Sequence, residues 1–119
     1  MSTEAVARRY ARAIFELGKE QKKLEPFARE LGAFAEAYEQ SQELRDALSN
    51  PMIGDDSREA IIDGLAKRLT TSPPITNLVR LLARRRRLAV LPDLVSQLRE
   101  MVDEHQGILR AKVRAAVRL

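Results

Sequence analysis

The sequence predicts an all-α fold, a six-helix bundle followed by one short strand at its C-terminal end. Three observations lead there. Apolar residues recur at spacings of three and four over most of the chain, helix-punctuating residues fall between those runs, and the pattern switches to a period of two only after Gly107. At 119 residues the chain suits a single core.

The first segment, residues 5–18 (AVARRYARAIFELG), sets a problem for the rest. On a helical wheel at about 100° per residue, Arg8, Arg9, Arg12 and Glu16 crowd one side and the remainder is apolar or small. Val6, Ala13 and Leu17 form one stripe, Tyr10 and Ile14 lie beside it, and Ala7, Ala11 and Gly18 continue towards Phe15. A helix facing one core needs an apolar arc of about 100°, and this arc spans roughly twice that. Two arrangements satisfy it: a central position covered on both sides by the same chain, or one face open to a helix from another protein.

Gly18 reads as an end signal for this helix. The second helix, residues 24–38, carries Leu24, Phe27, Ala28, Leu31, Phe34, Ala35 and Tyr38, with Pro26 in its first turn, where a missing N–H costs little. Ser41 caps a short third helix with Leu44, Ala47 and Leu48, and Asn50-Pro51 stops it, because proline disfavours the helical conformation of the residue before it. Asp56 and Glu59 form a capping-box pattern opening a fourth helix, with Ile61, Ile62, Leu65, Ala66 and Leu69 on its buried side.

Ser72 as N-cap and Pro73 at the first helical position start the fifth helix, which reaches about Arg86. Ile75, Val79 and Leu82 share one of its faces while Leu78 and Leu81 are displaced, so this arc too is wide for one interface. The sixth helix, residues 88–106, presents Leu91, Leu94, Val95, Leu98, Met101 and Val102, with Pro92 near its start and Gly107 as its stop. Beyond it Leu109, Ala111, Val113, Ala115 and Val117 alternate with Arg110, Lys112 and Arg114, the period of a strand. A lone strand has no ladder partner, so the chain divides into a helical domain, residues 1–106, and the start of a second, incomplete unit, residues 107–119.

The composition removes most chemistry. There is no cysteine and one histidine, His105, which excludes disulfides, thiolate metal sites and imidazole clusters. Asp55 and Asp56 read as capping residues, the five glycines are scattered rather than gathered in a phosphate-cradling loop, and His105 reads as a dipole partner near a helix end. No catalytic residue, metal or cofactor is expected, and the chain is read as no enzyme. No apolar run approaches the roughly 18 residues of a membrane span, and residues 1–4 lack the pattern of a secretion signal, so the expectation is a soluble, cytosolic chain without direct membrane insertion.

The net charge is +4, and the one conspicuous basic run is Arg84, Arg85, Arg86 and Arg87. It has two readings: an anion site for phosphates or for acidic residues of a partner helix, or cations favoured at a helix C-terminus and fanned around it. The second is adopted here. A small helical nucleic-acid binder using this run with Arg8, Arg9 and Arg12 is the alternative function, although aromatics for stacking are scarce.

Four segments together resemble a known family. ARRYARAIFELG at residues 7–18, NPMI at 50–53, NLVRLLARRRRLAVLPDL at 77–94 and DEHQGILRAKVRAAVRL at 103–119 stand in the order and spacing of the delta subunits of bacterial F-type ATP synthases, relatives of the mitochondrial oligomycin-sensitivity-conferring protein. The resemblance implies a noncatalytic stator subunit, peripheral on the cytoplasmic face of the bacterial inner membrane. Its six-helix N-terminal domain would sit on the catalytic head, and a smaller C-terminal domain would hold the peripheral-stalk b subunits.

In that family the first and fifth helices form an apolar groove for the N-terminal helix of an alpha subunit. Carried over, the groove falls on Tyr10, Ala13, Ile14, Leu78 and Leu81, to which Val6, Ala7 and Arg85 are added as neighbours on the wheel. Nucleic acid is then no partner; a helix-binding adaptor of another assembly is the remaining alternative. Two departures stand out. The family has acidic or polar residues where Arg84 and Arg85 stand, which suits a more acidic partner helix, and it continues beyond Leu119, so that only the first strand of the C-terminal domain, residues 108–117, is expected here.

Overall fold

The structure, a computed structural model, describes residues 2–117; the outermost positions of both expected units, Met1 and Arg118 with Leu119, lie outside the described residues. Six α-helices form in order: α1 (Thr3–Gln21), α2 (Leu24–Gln40), α3 (Gln42–Ser49), α4 (Asp55–Leu69), α5 (Pro73–Arg84) and α6 (Leu91–Val117), with a 3-10 turn over Leu88–Val90 between the last two. The long α6 packs along α1 and α2, α4 lies against α5, and α2 also meets α3 and α4. One core joins all of them. Phe27, Leu31 and Phe34 of α2 meet Ile62 of α4, Ile75, Val79 and Leu82 of α5, and Leu91, Leu94, Leu98 and Val102 of α6. These are the periodic positions of each segment, buried because only one stripe of each helix can face the others.

The helix ends are made less predictably. Ser2 and Ser41 cap α1 and α3, accepting hydrogen bonds from the Ala5 and Leu44 amides at 3.1 Å each. Gly18 does not end α1. The helix continues to Gln21 and closes at Lys22 in the left-handed conformation, with the Lys23 amide reaching back to the Gly18 carbonyl at 2.7 Å. Gly18 serves packing instead: a Cβ there would lie 3.1 Å from Leu24 Cδ2 and 3.2 Å from Phe27 Cδ2, so its absence lets α2 turn back closely against α1.

Nor is the Asp56–Glu59 capping box formed. Gly54 is the N-cap of α4, which places Asp55 and Asp56 inside the first turn, where their charges favour the helix dipole. Ser72 occupies the N-cap position of α5, but its hydroxyl makes no cap bond. Both its hydroxyl and its amide donate to Glu30 Oε1 of α2, at 2.6 and 2.7 Å, so a carboxylate 42 residues away closes this helix end.

Helix α4 ends at Thr70 with φ 56°, and the Thr71 amide bonds back to Ala66. A β-branched side chain in this conformation costs about 1–2 kcal/mol, partly offset in any glycine variant by the greater freedom of the unfolded chain. Thr70→Gly is expected to stabilise the protein by about 1 kcal/mol, read as a higher urea midpoint at unchanged slope.

The C-terminal segment departs most from expectation. Residues 108–117, read as a strand, are helical, and no strand occurs among the described residues; α6 runs unbroken through Gly107 across the expected 106/107 boundary. Glycine inside a helix costs only about 1 kcal/mol. A strand without a partner would leave every backbone donor and acceptor to water, whereas the helix satisfies them within the segment. His105 therefore sits within α6 and not at its end, its ring edge-on to Phe15 of α1 at 5.7 Å.

Arg58 of α4 is the one buried charged side chain among the described residues, 2% exposed. Its Nε donates to the Leu48 carbonyl at 3.0 Å, Nη2 to the carbonyls of Asn50 and Ile53 at 3.1 and 3.0 Å, and Nη1 to Asp55 Oδ1 at 3.0 Å. One guanidinium thereby organises the whole α3–α4 connection.

Candidate functional site

The expected site residues separate into three groups. Val6, Ala7 and Ile14 of α1 and Leu78 of α5 are core residues, covered by the chain itself. Ala13 and Leu81 are exposed, Leu81 at 37%. Tyr10 and Arg85 are brought into contact: Tyr10 is 7% exposed, and Arg85, at the C-terminal end of α5, donates Nη1–H to its hydroxyl at 3.0 Å across 75 residues of sequence.

The wide arc of α1 thus resolves largely as the central arrangement. Val6, Ala7, Tyr10, Ala11, Ile14 and Gly18 form one buried stripe, and none of the helix's large apolar side chains is left fully exposed. On α5 the arc resolves differently. Ile75, Leu78, Val79, Leu82 and Ala83 are buried while Leu81 points out, at a shallow depression it shares with Asn77, Arg80 and Arg84 of the same helix and Glu59 of α4. Leu81 is the one exposed large apolar side chain on helices α1 to α5 among the described residues.

The arginine run fans out as the adopted reading requires. Arg84 pairs with Glu59 at 2.6 Å, Arg85 binds Tyr10, and Arg86 takes the left-handed position that closes α5, with the Arg87 amide bonding to the Leu82 carbonyl at 2.7 Å. Arg80, one turn earlier, binds Asp63 of α4 through Nε at 2.7 Å. Sequence reasoning did not foresee that three cations would gather on Tyr10. Arg9 lies over the face of its ring, 5.6 Å from the centroid, Arg85 donates to its hydroxyl, and the charge of Arg87 acts on that hydroxyl as well. Arg9 is adjacent to Tyr10 in sequence, a signal of sorts; Arg87 arrives only because the chain reverses at Arg86.

Burial of the Tyr10 phenol works to push its pKa up. The hydrogen bond from Arg85, with the charges of Arg85 and Arg87, outweighs it and leaves the hydroxyl below the ordinary tyrosine value. Because the folded value is the lower one, the folded chain sheds this proton first on the alkaline side. The resulting stabilisation is full above the unfolded value, near 10, and is lost as pH falls through the folded one, leaving nothing at neutrality. Arg85→Gln is expected to move the ultraviolet titration of Tyr10 to higher pH; an unmoved midpoint would show that the contact does not form in solution.

Fold and site together define the class: an all-α bundle whose marked surface is a cation-bordered region where the end of α5 meets α1. Residues 6–119 match the family model described as ATP synthase delta (OSCP) subunit. The chain is 45% identical over 115 residues to the ATP synthase subunit delta of Anaeromyxobacter dehalogenans, covering 97% of this chain and 64% of that protein. It is 40% identical over 111 residues to that of Jannaschia sp., covering 93% and 60%, and 37% identical over 114 residues to that of Dinoroseobacter shibae, covering 96% and 61%.

This chain belongs to the ATP synthase delta (OSCP) subunit family. It spans less than two thirds of the length of these relatives, 60–64%.

Proposed function

We propose that this chain supplies the head-binding part of a noncatalytic stator subunit, which ties the catalytic head of an F-type ATP synthase to its peripheral stalk so that the head does not turn with the rotor. Its partner is the N-terminal helix of an alpha subunit. The helix docks on the exposed parts of α1 and α5, contacting Ala13, Leu81, Arg85 and the edge of Tyr10, while Val6, Ala7, Ile14 and Leu78 hold that surface in place from beneath. The observation that carries this reading is Leu81: a large apolar side chain left outside on a helix whose other large apolar residues are buried. A helix that must resist torque gains more from such an anchor than from exposed ion pairs, worth about 0–1 kcal/mol each.

In this reading residues 1–106 meet the head, and the unit beginning at residue 107 belongs to the contact with the stalk b subunits. Attachment to the membrane on its cytoplasmic face is indirect, in keeping with the absence, among the described residues, of a helix long and apolar enough to cross a membrane.

Titration with a synthetic alpha-subunit N-terminal peptide and with duplex DNA, each at two salt concentrations, tests the proposal. The peptide is expected to bind with an affinity that changes little with salt. No binding of the peptide would remove the assigned occupant, and DNA binding that falls by about a thousandfold between 50 and 200 mM salt, as phosphate contacts require, would replace the proposal with the nucleic-acid reading.

A further inference from the structure

Positive charge is distributed unevenly around α5. On the side facing α4, Arg80 and Arg84 are matched by Asp63 and Glu59. On the side facing α1, no carboxylate among the described residues lies within ion-pairing distance of Arg9, Arg85 or Arg87; the group they surround is the neutral phenol of Tyr10. Neither residues 5–15 nor residues 73–92 contain an acid, so a carboxylate partner could only come from elsewhere in the chain, as Asp63 and Glu59 do for Arg80 and Arg84. Arg9 and Arg85 are exposed and Arg87 is half-buried, so their charge is available at the surface.

We propose that Arg9, Arg85 and Arg87 form a clasp around Tyr10 that selects, among amphipathic helices, one carrying carboxylates beside its apolar stripe. This rests on the helix-docking reading above and assigns the preference for an acidic occupant, which the basic run alone suggested at Arg84 and Arg85, to the groups gathered at Tyr10. Planar guanidinium groups suit carboxylates because they offer paired donors in a fixed plane. The Tyr10 hydroxyl holds Arg85 in place beforehand, so less side-chain freedom is lost on docking. Rim charges of this kind act chiefly on association rate and on rejection of wrong partners, while apolar contacts hold the complex. The affinity of such a helix therefore weakens with salt by about the same factor as its association rate, roughly tenfold and far below the thousandfold expected of phosphate contacts.

Two designed peptides with the same apolar stripe, one flanked by Glu and one by Lys, provide the test against the whole chain. At low salt the Glu-flanked peptide is expected to associate about tenfold faster or more, with the preference shrinking at 0.5 M salt as screening shortens the reach of the charges. In Arg9→Gln/Arg85→Gln the preference should fall severalfold. Equal rates for the two peptides, an undiminished preference in the double variant, no binding of either peptide, or duplex DNA binding more tightly than the Glu-flanked peptide would each overturn the clasp. Should the double variant not fold, the wild-type comparison and its salt dependence decide alone. An alpha-subunit peptide run in parallel separates the two proposals. If it binds while the designed peptides do not differ, only the charge requirement falls; a Glu preference without binding of the alpha-subunit peptide removes the assigned occupant and leaves the clasp.

Discussion

Arg58→Met is expected to lower stability by about 3 kcal/mol or more, the largest single-residue effect we foresee from a polar side chain. The guanidinium is 2% exposed and is the donor for the carbonyls of Leu48, Asn50 and Ile53. Methionine fills much of the same space but donates nothing, so the carbonyls lose their partner and each must find water or remain unsatisfied. An unsatisfied buried acceptor costs about 1–3 kcal/mol, and bonds from a charged donor are the stronger kind. For a domain of this size the loss corresponds to a fall in melting temperature of very roughly 10 °C. Arg58→Lys is expected to recover only part of it, because one ammonium cannot reach three separated carbonyls in the plane that the guanidinium spans. Thermal unfolding followed by circular dichroism measures both variants, and a melting temperature within 2–3 °C of wild type for the methionine variant, less than about 1 kcal/mol, would mean that water replaces the guanidinium with little loss.

Leu81→Asp is expected to weaken binding of an alpha-subunit N-terminal peptide by more than about 2 kcal/mol, close to thirtyfold in Kd, while leaving the fold intact. At 37% exposure the leucine contributes little to the core, so the substituted carboxylate stays hydrated in the free protein. On docking it would be stripped of water at the centre of an apolar contact. Leu81→Ala should lose less, because it removes area without introducing a charge. Tyr10→Asp is not an equivalent experiment: at 7% exposure, with its hydroxyl bound to Arg85, Tyr10 belongs to the core, and its loss of affinity would be mixed with loss of structure. Isothermal titration of the folded Leu81 variants decides the matter, and wild-type affinity in Leu81→Asp would remove this face from the docking surface.

How far the site could be read from sequence differs from residue to residue. The apolar arc of α1 was visible, but amphipathicity records only how much of a helix is greasy, not how many neighbours arrive to cover it. Packing against α6 and α2 covered most of that arc, and Ala13 alone of its expected site residues stayed outside. On α5 the displacement of Leu81 from the core face was legible from spacing, and the structure leaves it exposed. Arg85 was included only as a wheel neighbour, and its contact with Tyr10 depends on where α5 ends.

By itself the sequence determined the number and order of the helices and nearly all of their inward stripes, because the period of 3.6 residues is a local property that any water-excluding core must respect. It also left residues 5–15 and 73–92 without an acid, but that acids of α4 reach Arg80 and Arg84 was decided by packing. Only the tertiary structure decided that Glu30 closes α5, that Arg58 is interior, and that three arginines converge on one phenol. It decided too that residues 108–117 are helical here, against their alternating pattern. Each of these depends on partners distant in the chain, or on the lack of one: an alternating segment becomes a strand only when another strand meets its hydrogen bonds, and in a helix those bonds are made within the segment itself.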